Sequence, residues 1–321
     1  MNVTLRQLQA FVAVARTGSF TDAAVHLHIT QSALSGLVKQ LERELGVQLV
    51  HRTTRRIELS PVGADFLPLV QRILGDLDRA LTSIADLKSL NAGQVRIAVP
   101  QLIACTLLPE SVAAFAQLHP NVEVLVTDSG VEAVAARVLG GEVDLGVGPE
   151  RAPSTELLAR PMLNMQFQAV LPAGHALAAG EAVRWADLVR HPLISLRDNY
   201  TRMLRAELLR AASGITLEPA HEVAFMTTAF GMAAAGLGVT TGMPYAQPLV
   251  ERLGLQMRPL VEPVVMRRFY LYARAGRELS PAAQRFADFL LERAARRGWN
   301  VPEKNMNQIG LQRLPIKRKQ L

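Results

Sequence analysis

"ITQSALSGLVKQLERELG", residues 29–46, decides how the first part of the chain is read. Leu34, Leu37, Val38, Leu41 and Leu45 fall at i, i+3, i+4, i+7 and i+11, the stripe of a helix with one buried face. Thr30 is placed to cap this helix and Gly46 to end it. Ser32, Ser35, Gly36, Lys39 and Arg43 repeat the same spacing two residues earlier, which puts them about 200° around a helix of ~3.6 residues per turn. That opposite face is unlike an ordinary solvated one, which is richer in Glu and Lys. Gln31, Ser32, Ser35 and Gly36 offer short hydrogen-bonding groups near the N-terminus, and Lys39 and Arg43 add charge farther along. A helix that enters a major groove needs such close approach, with amides and hydroxyls for base edges and phosphates.

The neighbouring sequence extends this reading. Leu5, Leu8, Phe11, Val12 and Ala15 recur at helical spacing, and Gly18 is placed to end that helix in a left-handed turn. Ser19-Phe20-Thr21-Asp22 then starts a short second helix, with Ser19 as cap, Asp22 at the positive end, and Ala23, Ala24 and Leu27 facing inward. Downstream, in "VQLVHRTTRRIELSP" (47–61), Ile57 and Leu59 alternate with polar neighbours and Thr53-Thr54 separates two short extended runs. This predicts a hairpin wing with Arg52, Arg55 and Arg56 at its tip, suited to gripping phosphates or entering the minor groove. Three helices and a basic hairpin within 60 residues form a winged helix-turn-helix.

At this point the chain resembles the LysR-type transcriptional regulators. The resemblance runs through the head and into the following helix, and it rests on "GSFTDAAVHL", "TQSALS", "LERELGVQLV" and "LSPVG". The sequence departs from the family pattern at Ser32, where proline is frequent, at Gly36, where a larger polar or basic residue is frequent, and at Val50, where phenylalanine is common.

Ser60-Pro61 is a cap and first-turn pair that opens a long helix to about Leu90. Within it Leu67, Val70, Leu74, Leu77, Leu81 and Ile84 follow a 3, 4, 3, 4, 3 rhythm, the seam of two packed helices. The stripe fits a dimer seam, and it also fits packing onto the helix's own domain. Pro68 costs this helix a backbone hydrogen bond or kinks its first turns. The resemblance implies a homodimer through this helix, often paired into tetramers. A dimer presents two reading helices and so expects double-stranded DNA with a two-fold-symmetric site.

Beyond residue 92 the pattern becomes α/β. "QVRIAVP", "VEVLVTD" and "EVDLGVG" read as strands separated by helices near 107–118 and 131–139; "FQAVLP", "PLISL", "HEVAF" and "GLGVTTG" form a second set, followed by "RRFYLYARA" and a helix over 280–297. Two lobes are expected, lobe 1 from about 92–161 and 264–298 and lobe 2 from about 162–263. The resemblance implies the periplasmic-binding-protein-like fold of the family's effector domain, with a small metabolite, often a carboxylate, between the lobes. Ligands of open α/β sheets bind beyond the carboxyl ends of strands. That rule selects Gln101, Leu102, Ser129 and Gly148 in one lobe and Ser195, Phe225 and Thr240 in the other. Arg197 and Arg202 could meet an anionic effector, or serve as surface ion pairs or subunit contacts. Cys105 is expected to be a small buried thiol.

The rest of the sequence mainly excludes. The net charge of +7 is concentrated in residues 299–321, with 5 Lys and Arg against 1 Asp and Glu, whereas residues 1–91 carry 10 against 8. The total charge is therefore weak support for DNA binding. The basic tail, 299–321, has no helical or strand periodicity and reads as a disordered extension. One cysteine permits no internal disulfide, and the sequence leads us to expect neither a leader nor a membrane-spanning run. A cytoplasmic protein with no membrane partner is expected. There is no G-x-S-x-G, H-E-x-x-H or P-loop lysine, and the seven histidines make no ligand pair, His26 and His28 included. No enzyme activity, metal or cofactor is expected. The reading is a wing-headed regulator with residues 1–60 as DNA-binding head, 61–91 as linker helix and 92–298 as a domain for a small-molecule effector, with RNA polymerase a possible contact. The rival is a solute-binding protein using the same two-lobed fold, which leaves residues 1–90 without a purpose.

Overall fold

The computed structural model describes residues 2–52, 57–88, 93–152, 154–197, 199–211 and 215–299, with the backbone alone at 52, 78–88, 199 and 200. Two compact units emerge, one built on Met1–Leu90 and one on the chain from Asn91 onward. Among the described residues no helix is long and apolar enough to cross a membrane.

The first unit contains α1 (Leu5–Thr17), α2 (Phe20–His26), α3 (Gln31–Leu45), the hairpin β1 (Val50–Arg52) and β2 (Ile57–Leu59), and α4 (Pro61–Lys88). Local chemistry sets each boundary. Thr4 and Gln7 form a reciprocal capping box on α1, and Ser19 Oγ and Thr30 Oγ1 accept backbone N–H bonds at the starts of α2 and α3. Gly18 and Gly46 end α1 and α3 in the left-handed conformation. Between α2 and α3 His28 itself takes a positive φ of 51°, while the N–H of Ile29 returns to the carbonyl of Ala24. Phe11, Leu34, Val38, Leu41 and Leu49 are fully buried in this unit's core, each contributing about 1.5–3 kcal/mol.

The wing is tied to α3 and α4 by polar groups. Glu42 Oε1 accepts the N–H groups of Leu49 and Val50 at 2.9 and 3.1 Å. Ser60 Oγ–H donates to Gln48 O at 2.6 Å, and the same oxygen accepts the Gly63 N–H at 2.9 Å, capping α4. Gly63 is required there, because a Cβ would lie inside the van der Waals envelope of Leu49 O. Helix α4 continues unbroken through Pro68.

In the second unit, lobe 1 carries β3 (Gly93–Pro100), α5 (Gln101–Cys105), α6 (Leu108–Leu118), β4 (Val122–Ser129), α7 (Ala133–Leu139), β5 (Leu145–Pro149) and β6 (Leu157–Gln166). Lobe 2 follows with β7 (Gln168–Pro172), β8 (Val183–Arg184), α8 (Trp185–Leu188), β9 (Leu193–Leu196), α9 (Asn199–Ala211), β10 (Pro219–Val223), α10 (Met226–Ala234), β11 (Thr240–Gly242), α11 (Gln247–Arg252) and β12 (Leu255–Val261). The chain then returns to lobe 1 as β13 (Met266–Arg274) and α12 (Pro281–Arg296). Lobe 1 is a five-stranded sheet in the order β4-β3-β5-β13-β6, with β3 parallel to β4 and β5 and β13 antiparallel to both its neighbours. Lobe 2 holds the sheet β11-β7-β12-β8 and the parallel pair β9-β10, linked by a bridge between Leu193 and Val239.

The first crossing between lobes is Phe167, not the neighbourhood of Pro161. Its N–H donates to Val265 O and its carbonyl accepts from Leu260 N–H, both at 3.0 Å, so the two connecting segments are bonded at this residue. Pro161 lies inside β6, where the register with β13 shifts, on the edge of the sheet. An edge position at a bulge tolerates a residue with no N–H to donate. The carboxyl end of the unit also differs from the expected boundary at residue 299. Trp299 is half-buried against the core, accepts the Asn164 N–H at 2.7 Å and lies under the Arg297 guanidinium; residues 300–321 of the expected tail lie outside the described residues.

Candidate DNA-reading helix and effector cavity

Helix α3 buries Leu34, Val38 and Leu41 and turns the opposite side outward. Gln31, Ser32, Gly36, Lys39 and Arg43 are exposed, and Ser35 is half-buried. Ser32 Oγ lies 3.1 Å from Oγ1 of the capping Thr30, so the first turn is a cluster of short hydroxyls. A Cβ on Gly36 would meet nothing within 4 Å, which leaves a notch on this face. His26 and His28 are both exposed beside the turn. In the wing Arg52 ends β1, paired with Ile57; Arg55 and Arg56 lie outside the described residues.

Of the two packings open to the apolar stripe of α4, its first part takes the head's own core. Leu67, Val70 and Leu74 pack against the head's own core, Val70 with no exposure at all. Among the described side chains of this helix Val62, Leu69 and Ile73 are exposed large apolar residues, each about half accessible. Both packings were open in the sequence because a 3, 4 rhythm describes any narrow buried stripe, whichever surface covers it. Leu81 and Ile84 lie where only the backbone is described.

Between the two lobes of the second unit lies a cavity of about 320 Å³. Gln101, Leu102 and Ser129 line it from lobe 1, Ser195, Arg197, Phe225 and Thr240 from lobe 2, and Phe167 from the crossing. Two expected residues are elsewhere. Gly148 sits against the ring of Tyr272, whose hydroxyl donates to Pro149 O at 2.7 Å and so fills the end of β5. Arg202 is exposed on α9 and does not line the cavity.

The walls are mostly apolar, with Leu193, Leu204, Leu217, Met243, Tyr245 and Phe269 among them. These were not legible as site residues, since in sequence they match any core aliphatic or aromatic. Thr201, buried on the first turns of α9, also lines the space. The few polar groups differ in availability. Thr240 Oγ1 donates to Ile194 O at 2.7 Å, whereas Ser129 Oγ is buried without a hydrogen-bond partner among the described residues. Arg197 and Glu132, on opposite lobes, each face a counter-charge, Glu222 at 3.8 Å and Arg151 at 3.6 Å. Burial pushes the Tyr245 phenol well above its ordinary range and keeps it neutral. Cys105, expected to be buried, is exposed. Its sulfur nevertheless donates to Leu102 O at 3.4 Å, and partial burial raises the thiol, which disfavours the reactive thiolate.

A family model described as "Bacterial regulatory helix-turn-helix protein, lysR family" matches residues 5–64, and one described as "LysR substrate binding domain" matches residues 88–295. The chain belongs to the LysR family of transcriptional regulators. Among LysR-family relatives, it is 32% identical to the uncharacterized HTH-type transcriptional regulator YbhD of Escherichia coli over 91% of this chain and 92% of that protein. It is 27% identical to the HTH-type transcriptional regulator BenM of Acinetobacter baylyi over 84% of this chain and 90% of that one. Full-length CbnR in complex with its target DNA has the same fold, with a TM-score of 0.68 at 21% identity, covering 91% of this chain and 99% of that one. The two units are thus the DNA-binding head and the effector-binding domain of a LysR-type, effector-controlled, DNA-binding regulator of transcription.

Proposed function

We propose that this regulator acts in the cytoplasm as a non-catalytic homodimer, with dimers pairing into tetramers, on double-stranded DNA with a two-fold-symmetric site. Gln31, Ser32, Ser35, Gly36 and Lys39 read the major groove, and Arg52, Arg55 and Arg56 hold the flanking backbone or minor groove. The observation that carries this reading is the exposed face of α3, short and polar at its N-terminal end and open at Gly36. Selection of bound duplexes from a random library tests it. A two-fold-symmetric consensus is the expected result, and no enrichment with or without effector removes the reading. Within the head, Ser35→Ala is expected to weaken the preferred site more than random DNA, whereas Arg55→Ala weakens both and flattens the salt dependence.

The effector is a small carboxylate held between the lobes by Gln101, Leu102, Ser129, Ser195, Arg197, Phe225 and Thr240. The partnerless Ser129 Oγ, the side-chain-uncapped start of α10 and Arg197 at the rim support an anionic headgroup, and the apolar walls support a compact hydrocarbon body. Binding favours one spacing of the lobes, changes the angle between subunits and shifts the DNA-bound heads, which alters DNA bending and contact with RNA polymerase. Such a population shift requires different effector affinities for the two arrangements. An effector that binds tightly yet leaves the DNA footprint and transcription unchanged overturns this mechanism.

A further inference from the structure

Gln101 opens α5 directly after Pro100, and Pro100 is paired in register with Ser129 on the adjacent parallel strand. The two polar residues therefore occupy neighbouring strand ends on the lobe 1 wall of the cavity. Oε1 of Gln101 accepts a hydrogen bond from the Thr227 hydroxyl at 3.1 Å. Thr227 belongs to α10, in the opposite lobe, and does not itself line the cavity. Its bond bridges the lobes and commits the acceptor end of the Gln101 amide. With Oε1 held toward Thr227, the opposite end of the amide is its NH2 group, which only donates, while Oε1 keeps one further lone pair.

We infer that Thr227 is a positioning residue that holds the Gln101 amide with its N–H groups available to the effector, making the cavity selective for a hydrogen-bond-accepting headgroup. This deepens the effector reading above and rests on it. The Ser129 hydroxyl, its oxygen buried and without a partner among the described residues, can donate beside Gln101, although it can also accept. Together they form a two-point donor grip for a carboxylate, whereas an ammonium headgroup meets the Gln101 donor and has the Ser129 oxygen as its acceptor. Because Thr227 reaches across from lobe 2, the grip is set at the lobe spacing in which this bond exists. Movement of the lobes that breaks it frees the amide to rotate, so headgroup recognition and lobe spacing are linked through one hydrogen bond.

The test is a binding titration of the full chain with carboxylates and amines matched in carbon skeleton, phenylacetate against phenethylamine and a series of straight and branched homologues. Wild type is expected to favour the acids. Thr227→Val, which keeps the shape and removes the hydroxyl, should lower acid affinity about three- to tenfold, the worth of one neutral hydrogen bond. Amine affinity should stay within about twofold. Thr227→Ser should restore the preference, and Gln101→Glu, which keeps an acceptor for Thr227 but removes the donors, should reverse it. A merely structural role for Thr227 would lower both ligand classes together. Wild-type preference for amines, or an acid-to-amine ratio unchanged in Thr227→Val, overturns the inference alone. Absence of binding by every member of both series overturns the effector reading of the cavity and this inference with it.

Discussion

The proposed reading face of α3 and the proposed effector cavity are built in opposite ways. The α3 face comes from one contiguous stretch, and every side chain on it is placed by a single helix whose far side is locked in the core. The cavity draws on residues from Pro100 to Phe269, and one of its polar groups, the Gln101 amide, is held by a partner in the other lobe. Recognition of a long polymer uses a convex surface prepared by local structure, whereas recognition of a small molecule uses a hollow that exists only once distant segments have met. Changes in one region should therefore leave the other intact.

The strongest attempt to break that separation uses two glycines. Gly63 faces Leu49 O, and Gly238, at φ 152°, faces Pro192 O; a Cβ at either position would overlap a backbone oxygen. Gly63→Ala should cost the head about 3 kcal/mol and abolish DNA binding at elevated temperature, while ligand binding in the other unit persists. Gly238→Ala should do the reverse. Loss of both activities in either variant, followed by thermal unfolding and titration, would show that the units fold as one. Next in size, Glu42→Ala removes the acceptor for the N–H groups of Leu49 and Val50 and should cost the head about 2 kcal/mol, seen in a lowered unfolding temperature.

Smaller effects sharpen the comparison. Gly36→Ala should stabilise α3 by about 0.5–1 kcal/mol, because the new Cβ meets nothing and glycine is a poor helix former. If close approach to DNA needs the notch, preferred-site affinity falls although stability rises, and unchanged affinity would remove Gly36 from the reading face. In the effector unit, desolvation raises the Asp144 carboxyl despite the Arg96 N–H bond at 2.9 Å. Its folded state thus favours the proton, so the contribution of this group is present below the unfolded value and is lost as pH rises through the folded one. Asp144→Asn should raise the unfolding temperature near neutral pH, and the gain should vanish in acid.

The same contrast explains what could be read from sequence. Thr30, Gly18, Gly46 and the wing strands were legible because caps, turns and hairpins depend on neighbours a few residues away. For Leu67, Val70 and Leu74 the sequence left both a dimer seam and the head's own core open, since apolar spacing fixes a face but not what covers it. The strands β6 and β12 escaped because each contains a proline, Pro161 or Pro259, and the lobe crossing was consequently placed several residues early. Strand-end reasoning reached Gln101 and Ser129, which line the cavity, from chain direction alone, whereas Thr240 lines it from the start of β11. It failed at Gly148, where Tyr272 arrives from β13, more than 120 residues later, to close the space.

That late return has a consequence for synthesis. β13 is hydrogen-bonded between β5 and β6, so lobe 1 lacks an interior strand until residues 266–274 have left the ribosome. The head has no such dependence, since its core closes within the first 74 residues. A nascent or prematurely terminated chain thus carries a finished DNA-binding head attached to a sheet with two unsatisfied edges, the arrangement most prone to intermolecular strand pairing. Messages truncated before residue 266 should yield products that compete for the operator without responding to any effector, and that aggregate through the open gap.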